Sequence, residues 1–82
     1  MKILYFAWLK DKTGINEEEI TDQKITDVKE LLDLLSIKYP KLKEFIDEKE
    51  VIRVAVNLNY ITDNIKLNQE DEIALFPPVS GG

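Results

Sequence analysis

The sequence predicts a single α+β domain in which several short strands surround one amphipathic helix. The chain has 82 residues, enough for one hydrophobic core and far fewer than the couple of hundred at which chains usually divide. Apolar stretches of strand composition recur at residues 2–9, 51–56 and 72–76, and only residues 28–39 carry apolar side chains at helical spacing over several turns. With 44% hydrophobic and 33% charged residues the chain is too apolar for intrinsic disorder. Its longest apolar run, Ile3 to Leu9, is far shorter than the ~18 residues of a membrane helix. That run follows Lys2 as in a minimal signal peptide, but it passes into Lys10-Asp11-Lys12 without a small-residue cleavage site and is read as a strand.

The first strand is predicted over Lys2 to Leu9 and ends in a charged hairpin connection containing Gly14. Residues Ile15 to Ile20 return antiparallel. Their centre, Glu17-Glu18-Glu19, is poor strand sequence and suits a solvated sheet edge where charge blocks further pairing. Thr26 and Asp27 are both good N-caps, and Asp27 with Glu30 has capping-box spacing. In the helix that follows, Val28, Leu31, Leu32, Leu35 and Tyr39 share one face, while Lys29, Glu30, Asp33 and Lys38 fall largely on the other. Pro40 disfavours helical geometry at Tyr39 and ends the helix there. Leu42, Phe45 and Ile46 suggest a short second helix over the end of the core. A third strand is predicted over Val51–Val56, where four of six residues are β-branched, with a turn at Asn57-Leu58-Asn59. Strand-like fragments follow at Tyr60-Ile61 and Ile65 to Leu67. The last strand, Glu72 to Phe76, is closed by Pro77-Pro78, neither of which can donate to a sheet ladder.

Composition narrows the function. The absence of cysteine and histidine removes disulfides, thiolate nucleophiles, most zinc sites and the usual neutral-pH acid-base side chain. No metal site is expected. Sixteen acidic against eleven basic residues give a net charge of -5, which disfavours a nucleic-acid partner. No membrane association is expected, and a cytoplasmic location is the default reading.

Two features ask for a functional reading. The first is the terminal Ser80-Gly81-Gly82, which holds two of the three glycines; by chance two glycines would stand there about one time in two hundred. Termini are usually frayed and uninformative. Here Pro77-Pro78 favours a stiff, extended departure, and six residues at ~3.3 Å each project the last carbonyl up to ~20 Å from the body. A stiff stem with a tip free of side chains can enter a narrow tunnel, and the Gly82 carboxylate, once activated by adenylation, can accept a sulfur or nitrogen nucleophile.

The second feature is the first strand, which alternates Ile3, Tyr5 and Ala7 on one face with Leu4, Phe6 and Trp8 on the other. Both faces are apolar, as in a strand covered on both sides. The last strand repeats this, with Ile73 and Leu75 opposite Ala74 and Phe76. One main helix covers only one face, so Phe6 and Phe76, with Tyr60, are read as a partner-binding patch rimmed by charge.

The segment Asp71-Glu72-Ile73-Ala74-Leu75-Phe76-Pro77-Pro78-Val79-Ser80-Gly81-Gly82, supported by Val54-Ala55-Val56-Asn57 and by Ile3-Leu4-Tyr5-Phe6-Ala7, resembles the small, sulfur-carrier subunits of molybdopterin synthase. These belong to the ubiquitin-like β-grasp superfamily. A bare Gly-Gly ending is shared by all ubiquitin-like carriers, whereas the Pro-Pro-Val-Ser-Gly-Gly tail is narrower. Glu70 departs from the family, which usually places a glycine in the turn before the last strand.

The resemblance implies a β-grasp domain over residues 1–76 and a flexible tail over 77–82 carrying the reactive terminus. It implies that the protein binds no cofactor and is not an enzyme on its own. A ubiquitin-activating-type enzyme would use ATP to form an acyl-adenylate on Gly82, and sulfur from a persulfide donor would turn it into a thiocarboxylate. The tail, Pro77, Pro78, Val79, Ser80, Gly81 and Gly82, would then enter the large synthase subunit, within a heterotetramer, and donate sulfur to a pyranopterin precursor. Phe6, Tyr60 and Phe76 would lie on the contact surface. The alternatives are a sulfur carrier for thiamine synthesis or tRNA thiolation, a ubiquitin-like modifier joined to lysines through Gly82, and an interaction domain with an inert tail. The extra segment Pro40 to Glu50 and the Pro-Pro stem stand against the thiamine carriers.

Overall fold

The computed structural model describes residues 1–47 and 52–77. In chain order the elements are β1 (Lys2–Tyr5), α1 (Leu9–Thr13), β2 (Glu17–Glu19), α2 (Val28–Lys38), α3 (Pro40–Asp47), β3 (Arg53–Val56), β4 (Asn59–Ile61) and β5 (Glu72–Phe76). The strands form a five-stranded sheet in the order β2-β1-β5-β3-β4. β1 and β5 pair in parallel, with Ile3 beside Ile73 and Tyr5 beside Leu75, and the other pairings are antiparallel. Alternation along the strands sends Ile3, Tyr5, Val54, Val56, Ile73 and Leu75 to one face, where all are buried with Val28, Leu31 and Leu35 of α2 and Leu42 of α3.

The predicted first strand, Lys2 to Leu9, is twice as long as the observed one. The latter ends at Tyr5, Ala7 takes a left-handed φ of 54°, and the chain turns into α1, whose Leu9 is fully buried. Partner availability explains the break. The Phe6 N–H donates to Leu75 O at 3.0 Å, and beyond that rung the neighbouring strand runs into Pro77. A longer β1 would have carried unpaired backbone groups, which a helical turn satisfies instead. The connection to β2 is therefore a helix closed by Gly14, whose φ of 82° suits a C-cap and whose N–H donates to Lys10 O at 2.7 Å. The return strand lies at the sheet edge as expected, with its three glutamates paired against β1.

α2 begins as its sequence predicts. The Asp27 carboxylate accepts the Glu30 N–H at 2.8 Å, and Glu30 reaches back to the Thr26 N–H and hydroxyl at 2.9 and 2.7 Å. The return bond thus falls one residue earlier than in a standard capping box. Ile65 to Leu67 do not form a strand. Their backbone instead holds the start of α2: Ile65 O accepts the Val28 N–H, the Leu67 N–H donates to Thr26 O, and Lys66 forms a single bridge with Asp27. Tyr39 caps the end of α2, and Pro40 opens α3 at the position where a missing N–H costs least. β3 is seen from Arg53; Val51 of the predicted strand lies outside the described residues.

The β3–β4 turn has φ of 51° at Asn57 and 71° at Leu58, positive at both central positions as two-residue hairpins favour. Asn57 also ties the turn to β5: its backbone N–H donates to Glu72 O, and its side-chain oxygen accepts the Glu72 N–H. The turn holding Glu70 keeps negative φ, closed by Asp71 N–H to Asn68 O at 3.0 Å and by the Asn68 N–H on the Asp71 carboxylate. A glycine is therefore not required there.

Glu18 points inward from β2 and joins the sheet edge to the end of α2. Its side chain is 10% exposed, pairs with Lys38, and accepts hydrogen bonds from Tyr39 and, at 2.6 Å, from Tyr5. Burial acts to raise the Glu18 carboxyl, but the hydrogen bonds from Lys38, Tyr39 and Tyr5 together outweigh it and hold the group below its ordinary value. Burial first, and then the bond to Glu18, push the Tyr5 phenol far above its usual range.

Leu35 is fully buried, so Leu35→Ala should cost about 2–5 kcal/mol in chemical denaturation. A loss under roughly 1 kcal/mol would contradict the helix phasing. The depressed Glu18 gives stability that is present above the ordinary glutamate value of 4.5 and is lost as pH falls through the lower folded value. Glu18→Gln should therefore lower the melting temperature at neutral pH, and the gap to the unmodified protein should close on acidification below about pH 4.5. A gap that stayed constant with pH would remove the charge from this account.

Candidate functional site

The face of the sheet turned away from α2 is built from the residues left over by the same alternation: Leu4 and Phe6 from the β1 side, Ala74 and Phe76 of β5, Arg53 and Ala55 of β3, and Tyr60 of β4. Phe6 follows Tyr5, the partner of Leu75, and so lies beside Phe76, one strand spacing away. Tyr60 faces Ala55 across β3–β4, yet its ring meets Phe76 on the next strand but one, with centroids 5.9 Å apart at 88°. The small side chain of Ala55 leaves the room for this edge-to-face contact, which is a favoured aromatic geometry.

The structure packs Tyr60 on Phe76 and sets Phe6 on the same face by register. Phe6 is 48% and Tyr60 53% exposed, while Phe76 is half-buried beneath its neighbours. Trp8 does not join them as its predicted phase implied. The left-handed turn at Ala7 removes it from the face, and its indole packs on Phe45 of α3 with centroids 4.9 Å apart. Pro77 directly follows β5 at the aromatic end of the face; Pro78, Val79, Ser80, Gly81 and Gly82 lie outside the described residues.

The opposite end of this face is charged. Lys2 pairs with Glu17 at 3.1 Å, and Glu19 and Glu72 point the same way by register. The hydrogen bond from Glu17, with that carboxylate's charge, raises the Lys2 ammonium above its ordinary value. A hollow lies between α2, the end of α3 and the β3–β4 hairpin, with Val28, Leu32, Ile46 and Ile61 in its walls and Arg53 at its rim. It is open to solvent and includes none of the three aromatics. Among the described residues no group of three or more acidic side chains could hold a metal ion, and no helix is long and apolar enough to cross a membrane. Arg53 and Ala55 were not among the residues that sequence reasoning selected. Their phase, opposite to that of Val54 and Val56, was the available signal.

Phe76 and Leu75 are chain neighbours on opposite faces, so truncation should separate the two environments. Leu75→Ala should cost about 2–5 kcal/mol and Phe76→Ala about 1 kcal/mol in denaturant titrations. Equal losses would place Phe76 in the core.

A family model described as the ThiS family matches residues 3–82. The chain is similar to the molybdopterin synthase sulfur carrier subunit of Arabidopsis thaliana, with 32% identity covering 100% of this chain and 82% of that protein. The subunit of the same name from Dictyostelium discoideum is 36% identical, covering 99% and 94%. Among solved structures, the small archaeal modifier protein 1 of Methanosarcina acetivorans superposes with a TM-score of 0.80 at 33% identity, covering 99% of this chain and 94% of that one. A chain of the complex of subunits 1 and 2 of the molybdopterin-converting factor from Helicobacter pylori superposes at 0.68 with 30% identity, covering 99% and 96%. The likeness spans nearly the whole chain in sequence and in fold, and the protein belongs to the ThiS family, with a ubiquitin-like β-grasp fold.

Proposed function

We propose that this protein is the sulfur-carrier subunit of a molybdopterin synthase, acting through the carboxylate of Gly82. The observation that carries the reading is the aromatic face of Phe6, Tyr60 and Phe76, set at the end of β5, the strand that directly precedes residues 77–82 in the sequence. A face of this kind can hold a partner while the Pro-Pro stem directs the Gly-Gly tip into that partner's active site. The likeness to named sulfur carrier subunits, and to one chain of a two-subunit converting factor, supports the same reading.

The chemistry follows from the terminal group. A Gly82 carboxylate oxygen attacks the α-phosphorus of ATP on the adenylating partner, expelling pyrophosphate and leaving a mixed anhydride. The outer sulfur of a persulfide attacks the carbonyl and displaces AMP. A thiol then cleaves the S–S bond, forming a disulfide and releasing the thiocarboxylate. Inside the large subunit that sulfur passes to the pyranopterin precursor, and water restores the carboxylate. The present chain supplies the reacting terminus and the docking face, and the partners supply the catalytic groups.

A second reading has a specific observation in its favour. The similar archaeal protein is named a modifier, and an activated Gly82 could acylate lysine amines in place of accepting sulfur. Incubation with ATP and a lysine-bearing extract separates the two: a modifier yields a ladder of larger conjugates, whereas a carrier yields one species whose intact mass reports oxygen replaced by sulfur.

Deletion of Gly82 should leave the melting temperature unchanged, since among the described residues the buried core extends no further than Leu75, and should abolish thiocarboxylate formation by intact mass. Sulfur transfer retained by the truncated chain would overturn the mechanism.

A further inference from the structure

The outer face carries a cation where a purely apolar contact surface would have none. Arg53 is the direct cross-strand partner of Phe76, with Ala55 and Tyr60 alongside, in a chain of net charge -5. Val54 and Val56 turn inward and are buried, so Arg53 branches from the face of the aromatics, at the rim of the hollow that it lines with Asp47 and Asp63. Among the described residues no carboxylate lies within ion-pair distance of it, whereas Lys2 at the other end of the face is paired with Glu17. Cross-strand neighbours stand about 5 Å apart at Cβ, so a protein that covers Phe76 also strips water from the Arg53 guanidinium. A desolvated and unpaired guanidinium opposes binding, and the acceptor that best relieves it is a carboxylate taken in bidentate fashion.

The geometry points to Arg53 as the residue that reads an aspartate or glutamate on the partner protein, placed against the end of β5. This rests on the reading that Phe6, Tyr60 and Phe76 dock a protein, and it adds the chemistry that the docking surface must present. At the far end of the face Glu17 is paired with Lys2 and Glu19 with the N-terminal ammonium, and Glu72, which has no ion pair among the described residues, favours a basic side chain on the opposite side of the same surface. Such a charge gradient admits one orientation of the sheet on its partner, with the end of β5 over the acidic side. A partner reversed by half a turn would set carboxylate against carboxylate and leave Arg53 unpaired.

The test is calorimetric titration of the full chain with the purified large synthase subunit, at low and at high salt. Arg53→Glu should weaken binding by about tenfold or more at low salt, with the loss shrinking at high salt; Arg53→Lys should lie between it and the unmodified protein. Lys41→Glu, a change of an exposed charge on α3 at the other side of the sheet, should stay within about twofold of the unmodified protein. Melting temperatures check that each variant folds, and Arg53→Gln supplies the loss of charge should the glutamate variant unfold. Unchanged binding by Arg53→Glu, with Phe76→Ala impaired, would sink the role of Arg53 and leave the docking face standing. A salt-independent loss would likewise overturn the charge pairing. Unchanged binding by Phe76→Ala as well, or no binding by the unmodified chain, would remove the docking face and this proposal with it.

Discussion

The parallel pairing of β1 with β5 is the interaction on which the rest of this molecule depends. It joins segments near the two ends of the chain, aligns Ile3 with Ile73 and Tyr5 with Leu75, and makes β5 the centre of the sheet. A central strand has its backbone groups engaged on both sides, which fixes the position of its last residue, Phe76. The same pairing sets Phe6 beside Phe76, residues 70 positions apart, and stops β1 where β5 runs into Pro77. The core layer, the aromatic face and the departure point of the last residues thus share one register.

A single helical layer then decides what each face does. α2 and α3 bury the inward residues, and the contacts that tie them to the sheet are polar as well as apolar. Glu18 gathers Tyr5, Tyr39 and Lys38 at one end of α2, while the backbone of Ile65 and Leu67 satisfies the other. A carboxylate with this many donors is stable as an anion even when little exposed. Among the described residues no helix covers the outer face, where Phe6 and Tyr60 stay exposed and Tyr60 packs across Ala55 onto Phe76.

Much of this was legible in the sequence, because local chemistry specifies it. The N-cap at Asp27, the core stripe of Val28, Leu31 and Leu35, the stop at Pro40, the acidic edge strand and the strand closed by Pro77 all depend on residues within a few positions of one another. The outer aromatic patch was legible too, from the opposed phases of Phe76 and of Ile73 and Leu75. What failed was the length of β1. Ile3 to Leu9 has uninterrupted strand composition, and nothing in it announces that the pairing partner runs out after Leu75. The fragment Ile65 to Leu67 misled in the same way, since its apolar residues serve the start of α2 and not a sheet.

The sequence by itself determined α2, α3, the third strand and the last strand, most of the residues that enter the core, and the chemical character of the segment that follows Phe76, because periodicity, caps and proline act over single turns and strands. Only the tertiary structure decided that Trp8 packs on Phe45 and leaves the sheet face, that Glu18 is held by three side chains from two elements, and that Arg53 stands against Phe76. Each of these joins residues tens of positions apart, and such a contact exists only once strand register and chain reversal have been settled together.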